Sequence, residues 1–284
     1  MNNEVVIPGP AELRGSWYPA RAPRAVAVLH GATAVPHRFY RHFAKWLATE
    51  QSVSCLTYDY RDFGASTKGH IRHATASLAD WGIADQQAAR DWVSVRSKGL
   101  PIWVIGHSLG GLMLARQTRT EEISHIIAVC SGPVHTCDHP WPHQALVRAL
   151  WFGIGPMSMA ALGYVPGRLS GLGSDLPGPV FRQLKHWCTT RGFDLSEPDL
   201  PQPRPTGLAC PLRTVGVSDD ASVPPPVVSR LAERYPFCPH EHVVLKPEIF
   251  GLEKVGHTAI FSRRNAAMWP TVIGANPSVP FGSG

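Results

Sequence analysis

The pentapeptide Gly106-His107-Ser108-Leu109-Gly110, set directly behind the apolar run Ile102 to Ile105, constrains what this chain can fold into more than any other feature. A serine between two glycines at that point marks a strand that turns abruptly into a helix. The hydroxyl stands exposed on a strained backbone, and its neighbours must be tiny to avoid a clash. With 26 glycines in the chain a chance match is easy, so the context decides. Pro101 to Ile105 is a short continuous apolar run of the kind a buried parallel strand presents, and Leu109 to Thr118 can continue as a helix.

The rest of the chain supplies the alternation that such a strand needs. Strands are expected at Glu4 to Ile7, Leu13 to Tyr18, Ala25 to Leu29, Val53 to Tyr58, His125 to Val129, Leu212 to Val217 and His242 to Leu245. Between them, Phe39 to Glu50 has helical apolar spacing. Leu78, Trp81, Ala84, Ala88, Trp92 and Val95 also fall on one helical face, whose tryptophans suit packing on a sheet. Asn265 to Ile273 closes the chain as a helix broken near Pro270. The expected fold class is α/β, with a mainly parallel central sheet covered by helices on both faces. The 284 residues suffice for one large domain of this kind.

From Val134 to Cys210 the alternation fails, and the stretch is dense in Trp, Pro and Gly. Residues 134–210 are therefore expected to be a cap inserted into a core made of residues 1–133 and 211–284. So long a connection either acts as a lid or packs its apolar residues on the sheet.

Charge and cysteine content bound the partners. The net charge of +6 comes from arginines spread along the chain, which reads as solvated surface and not as a nucleic-acid footprint. Six scattered cysteines without a CxxC pair suggest reduced thiols and a cytoplasmic protein. The first thirty residues lack a basic start followed by an apolar core, and no uninterrupted apolar stretch has the length of a membrane span, so no integral membrane segment is expected.

A serine hydroxyl is a poor nucleophile at neutral pH. It needs a histidine to take its proton and a carboxylate to orient that histidine, and on this architecture they come in the order serine, acid, histidine. Asp219 and Asp220 end the strand Leu212 to Val217, at the sheet edge where ligands gather. Asp220 is favoured because it precedes a D-x-x-V-P turn, and Asp219 is left to cap or orient the loop. Of fourteen histidines, His257 lies after the last strand and before the final helix, where a loop can carry it over Ser108. His107 adjoins the serine, but neighbours at such a turn point apart. Backbone N–H groups of Leu109 and, in the loop after the Ala25 to Leu29 strand, of Ala32 are the candidates for an oxyanion hole.

Five segments in order, HGATAVPHRFY (30–40), YDYRDFGAS (58–66), VIGHSLGG (104–111), SDDASVPP (218–225) and VGHTAIF (255–261), resemble the α/β-hydrolase superfamily. The likeness is to bacterial serine hydrolases near monoglyceride lipases and serine aminopeptidases, and it extends over the cap segment 163–177. It implies a Ser108, Asp220, His257 triad, Ala32 and Leu109 as oxyanion donors and hydrolysis of an ester-like bond, but no particular substrate; the expectation is a cofactor-independent hydrolase acting on a small-molecule acyl substrate. Asp62 departs from the pattern, standing where R-G-x-G-x-S would place its first glycine. Acyltransferase, amidase, thioesterase and carbon–carbon hydrolase chemistry stay open on the same triad, as does a silent binding protein. The cluster His135, Cys137, Asp138, His139 and His143 holds metal-ligand types without a zinc spacing. Pro140 and Pro142 oppose the helix that would align its histidines, so no metal is expected.

Overall fold

The computed structural model describes residues 3–171 and 173–274. The chain runs β1 (Glu4–Ile7), β2 (Leu13–Tyr18), β3 (Ala25–His30), β4 (Val53–Tyr58), β5 (Ile102–His107), β6 (Ile123–Val129), β7 (Tyr164–Val165), β8 (Leu176–Pro177), β9 (Leu212–Val217) and β10 (His240–Leu245). Eight of these strands form one sheet in the order β1-β2-β4-β3-β5-β6-β9-β10, while β7 and β8 pair separately. β1 and β2 are antiparallel additions at one edge, and every pairing from β4 to β10 is parallel. This is the α/β-hydrolase fold.

Period-two alternation divides the apolar strands between two cores. Trp103, Ile105, Ile127 and Val129 face one side, where Phe43 and Leu47 of α1 (Arg41–Glu50) and Trp269 cover them. Val104, Ile102 and Ile126 face the other, under Trp92 of α2 (Gln86–Ser97) and Trp81. Each such side chain contributes about 1.5–3 kcal/mol by leaving water. β3, β4 and β5 are buried along their whole length.

Three helices differ from the sequence expectation, each for a local reason. A π-turn at Asp80–Asp85 precedes α2, and its wider winding rotates that helix, leaving Val95 80% exposed and off the shared face. In place of a helix over Leu109 to Thr118 there are two 3-10 turns, Ser108–Gly111 and Leu114–Arg116. Two consecutive glycines favour helix weakly, and tertiary donors take carbonyls that an α-helix would use: Ser131 Oγ binds Ser108 O and Tyr235 Oη binds Gly111 O. Near the C-terminus the break falls at Asn265, and Pro270 lies in the first turn of Trp269–Ile273, where its missing N–H costs nothing. Residues 275–284, assigned to the core from sequence, lie outside the described residues.

Between β6 and β9 the chain forms a helical run, His143–Leu162, then the β7–β8 pair and a helix at Gly178–Thr189. The π-turn Leu150–Ile154 within the run loosens the bonding that Pro156 would otherwise break. A buried ion pair fastens this segment to the turn after Ser108, with Arg116 Nε 2.7 Å from Asp194 Oδ2.

Candidate active site

β5 ends at His107, and Ser108 comes next at φ 55°, the left-handed conformation that a side-chain-bearing residue adopts only under constraint. The flanking glycines supply that constraint. A Cβ on Gly106 would stand 2.5 Å from the carbonyl group of Gly110, and one on Gly110 would stand 2.1 Å from His30 O. Any larger residue would push the turn off the sheet. The serine itself is half-buried, while Leu109 behind it is buried and lies in the first turn, where backbone N–H groups lack helical acceptors.

Asp220 and His257 meet at the same edge of the sheet. His257 Nδ1–H donates to Asp220 Oδ2 at 2.8 Å, and the N–H groups of Ser222 and Val223 donate to Asp220 Oδ1 at 2.8 and 3.0 Å. Burial alone would raise this carboxyl's pKa. The attraction of His257 and these hydrogen bonds outweigh burial and hold it below the usual value. Asp219 serves the loop instead: its two oxygens accept the N–H groups of Val255 and Gly256 at 2.9 and 2.8 Å, just ahead of His257. The adjacent acids thus divide the work, one holding the ring and the other the loop that carries it. His257 and Ser108 share this edge, but the serine hydroxyl makes no hydrogen bond to His257 among the described residues.

Below the serine runs a chain of hydrogen bonds that the sequence did not announce. His107 Nε2–H donates to the His257 carbonyl at 3.0 Å, which leaves Nδ1 to accept the Tyr40 hydroxyl at 2.8 Å. Tyr40 Oη in turn accepts the Ala32 N–H at 2.9 Å. Burial pushes the His107 pKa down to about 3, so the ring is neutral and the polarity of the chain is fixed. It joins the loop after β3, the strand under the serine and the loop of His257. It also engages the N–H named from sequence as an oxyanion donor: Ala32 can serve an oxyanion only by exchanging the Tyr40 hydroxyl for it. The clue in the sequence was the placement of Tyr40 ten residues past His30, indistinguishable there from a packing aromatic.

Cys130 also escaped the sequence reading. It directly follows β6 at φ 48° with its thiol against Asp220, and burial, then the Asp220 charge, push the thiol pKa well up. The ligand atoms of Cys130, Asp220 and His257 lie within 4.8 Å of one another. Two of them are already bonded to each other, and the third keeps its proton, an arrangement suited to fixing the carboxylate. Within the stretch His135 to His143, the rings of His139 and His143 stand 5.4 Å apart, and the other groups bond locally. His135 accepts the Cys137 N–H, Asp138 pairs with Arg230 at 2.6 Å, and His139 donates to the Ala221 carbonyl at 3.0 Å. Asp62 stands at φ 59°, a conformation aspartate tolerates better than most residues, and its carboxylate accepts the N–H groups of Thr75 and Ala76 at 3.0 Å. The departure from glycine therefore closes the loop instead of distorting it.

Residues 20–161, half of the chain, match the family described as serine aminopeptidase, S33. That stretch includes Ala32 and the serine turn but stops short of Asp220 and His257. No curated protein matches the chain. Among solved structures, a soluble variant of monoglyceride lipase from Saccharomyces cerevisiae in complex with a substrate analogue aligns with TM-score 0.61 at 16% identity, covering 93% of this chain and 92% of its own. An esterase from Thermogutta terrifontis aligns with TM-score 0.55 at 15% identity over 94% and 96%. A deformylase of N-formylmaleamic acid from Pseudomonas putida S16 aligns with TM-score 0.56 at 16% identity over 95% and 100%. At these identities the likeness carries the fold.

Proposed function

We propose, for an enzyme that belongs to the serine aminopeptidase S33 family of α/β-hydrolases, that Ser108, His257 and Asp220 hydrolyse a carboxylic ester or thioester of a small hydrophobic substrate through an acyl-enzyme. The observation that carries this reading is the 2.8 Å bond from His257 Nδ1 to a buried Asp220, made at the sheet edge where Ser108 sits on its strained turn. With Nδ1–H committed to Asp220, the neutral ring has a bare Nε2, the atom that takes a proton.

Ser108 Oγ attacks the acyl carbon as His257 Nε2 removes its proton. The carbonyl oxygen becomes an oxyanion that the Leu109 N–H stabilises, with Ala32 as second donor once its bond to Tyr40 yields. Collapse breaks the ester C–O bond, or the C–S bond of a thioester, and the leaving group takes the proton from His257. Water, deprotonated by the same ring, then attacks the acyl-serine; the bond to Ser108 Oγ breaks, Oγ takes the proton back from His257, and the acid is released. Residues 134–210 act as the cap over this site, and their apolar character favours an acyl chain over a charged peptide.

Hydrolysis of a p-nitrophenyl ester series from acetate to long-chain, run beside Ser108→Ala, tests the reading. Turnover that vanishes in the variant, with folding intact, is the expected result. Undiminished turnover in Ser108→Ala overturns it.

A further inference from the structure

Two of the six cysteines are brought together by the fold as free thiols. Cys210 and Cys238 each stand before a proline that leads into a strand, in Cys210-Pro211-Leu212 at the start of β9 and Cys238-Pro239-His240 at the start of β10. Proline biases the residue before it toward extended backbone. The two strands are parallel and in register from His240 beside Leu212, and the Leu212 N–H donates to the Pro239 carbonyl at 2.8 Å. Followed back by two residues, that register sets Cys238 beside Cys210.

Neighbouring strands run about 4.8 Å apart. That separation falls inside the span of about 4.4–6.8 Å that a disulfide bridges between Cα atoms. The side chains also face the same way, since both pack on the core that lies under Trp92. The Cys238 thiol donates to the Leu208 carbonyl at 3.4 Å, and the Cys210 thiol hydrogen-bonds to the Cys238 sulfur. The bond between the sulfurs is the largest influence on both groups, holding Cys238 below the ordinary thiol value and Cys210 well above it. Burial pushes Cys55, Cys130 and Cys188 upward and leaves them protonated.

Exposure divides the roles within the pair. Cys238 is 7% exposed, which admits a reagent no larger than a peroxide, and Cys210 is half-buried beside it. We propose that Cys210 and Cys238 form a redox modification site, oxidised by hydrogen peroxide to a disulfide that ties the start of β9 to the start of β10. The Cys238 thiolate attacks one peroxide oxygen; the O–O bond breaks, and hydroxide leaves and takes up the proton that Cys238 released. The Cys210 sulfur then attacks the resulting sulfenic acid. The S–S bond forms, the S–O bond breaks, and the hydroxyl departs with the Cys210 proton as a second water. Two thiols lose two electrons and one peroxide becomes two waters.

The bridge would pin the point where the segment between β6 and β9 rejoins the sheet. β9 runs from there toward Asp220, so the pair lies at the end of the sheet opposite the reacting groups. Its chemistry is independent of Ser108 and is read by mass alone.

The test is peptide mapping, without reduction, of the folded full chain treated with hydrogen peroxide and then with an alkylating agent. A linked peptide pair holding Cys210 and Cys238, lost on adding dithiothreitol, is the expected result. In Cys210→Ser, dimedone should trap a sulfenic acid on Cys238, and in Cys238→Ser oxidation at Cys210 should slow by at least about tenfold. The bridged chain should melt about 5 °C above the reduced one, a shift absent from Cys210→Ser. If Cys210 and Cys238 both remain alkylatable after a dose that oxidises the exposed Cys137, the proposal is overturned. A bridge that forms only in urea, or one that lowers the melting temperature, overturns it as well.

Discussion

The platform under Ser108 and the helical run His143–Leu162 are both rich in apolar and aromatic residues, but they use them in opposite ways. Beneath the serine, Tyr40, His107 and Phe261 are buried, and the Ala32 N–H, the Tyr40 hydroxyl and both ring nitrogens of His107 have partners. In the helical run the apolar side chains face water, and only one edge is packed. The difference separates two demands. A reacting constellation needs every donor and acceptor held in place, whereas a helix at the surface needs only one packed edge and can leave its other apolar groups uncovered.

The largest expected effect lies in the platform. Asp220→Asn should lower kcat by roughly ten-thousandfold, as expected for loss of the carboxylate that selects the histidine tautomer. Asp219→Asn leaves the ring bonded and loosens only its loop, so its loss should be far smaller. Steady-state kinetics of the two variants decides the division of labour, and an Asp219 variant as impaired as the Asp220 one contradicts it.

Next comes Tyr40→Phe, which strips partners from the Ala32 N–H and from His107 Nδ1 in a buried place. Chemical denaturation should show a loss of about 1–3 kcal/mol. An unchanged midpoint would mean that the hydrogen-bond chain contributes nothing to stability. The corresponding change on the helical run, Met157→Ser, should stay within about 0.5 kcal/mol, because the side chain it removes is already in water.

The same division governs how much of the molecule was legible in the sequence. The strands were readable because continuous apolar runs between glycines and prolines admit few alternatives, and the approach of His257 to Asp220 was expected from the serine, acid, histidine order, with Ser108 directly after β5, Asp220 shortly after β9 and His257 in the loop beyond β10. The turns after Ser108 were not, since the donors that claim their carbonyls, Ser131 and Tyr235, come from 23 and 124 residues away in the chain. Nor was the link from Ala32 through Tyr40 to His107, which depends on tertiary approach and carries no spacing of its own. Exposure of the apolar helix was equally hidden, because the sequence registers apolarity and is silent on which side is covered.

A pH dependence sharpens the contrast further. His30 and His107 are fully buried in the platform, and burial holds each at a pKa of about 3, below the ordinary value of 6.5. Between those values the unfolded chain binds protons that the folded chain refuses, so stability is complete above pH 6.5 and falls as the pH drops toward 3. Each histidine removes about 1.4 kcal/mol per pH unit in that window. Thermal melts from neutral to acid pH should show this decline, and His107→Gln should flatten it. An equal slope in that variant would show that His107 is not the group responsible.

The most direct test of the central claim is peptide-mapped mass spectrometry after treatment with a fluorophosphonate. A serine activated by His257 should give one covalent adduct, on the peptide holding Ser108, and none in folded Ser108→Ala. An adduct on another residue, or no adduct on folded protein that still turns over an ester, would contradict the assignment of Ser108 as the nucleophile.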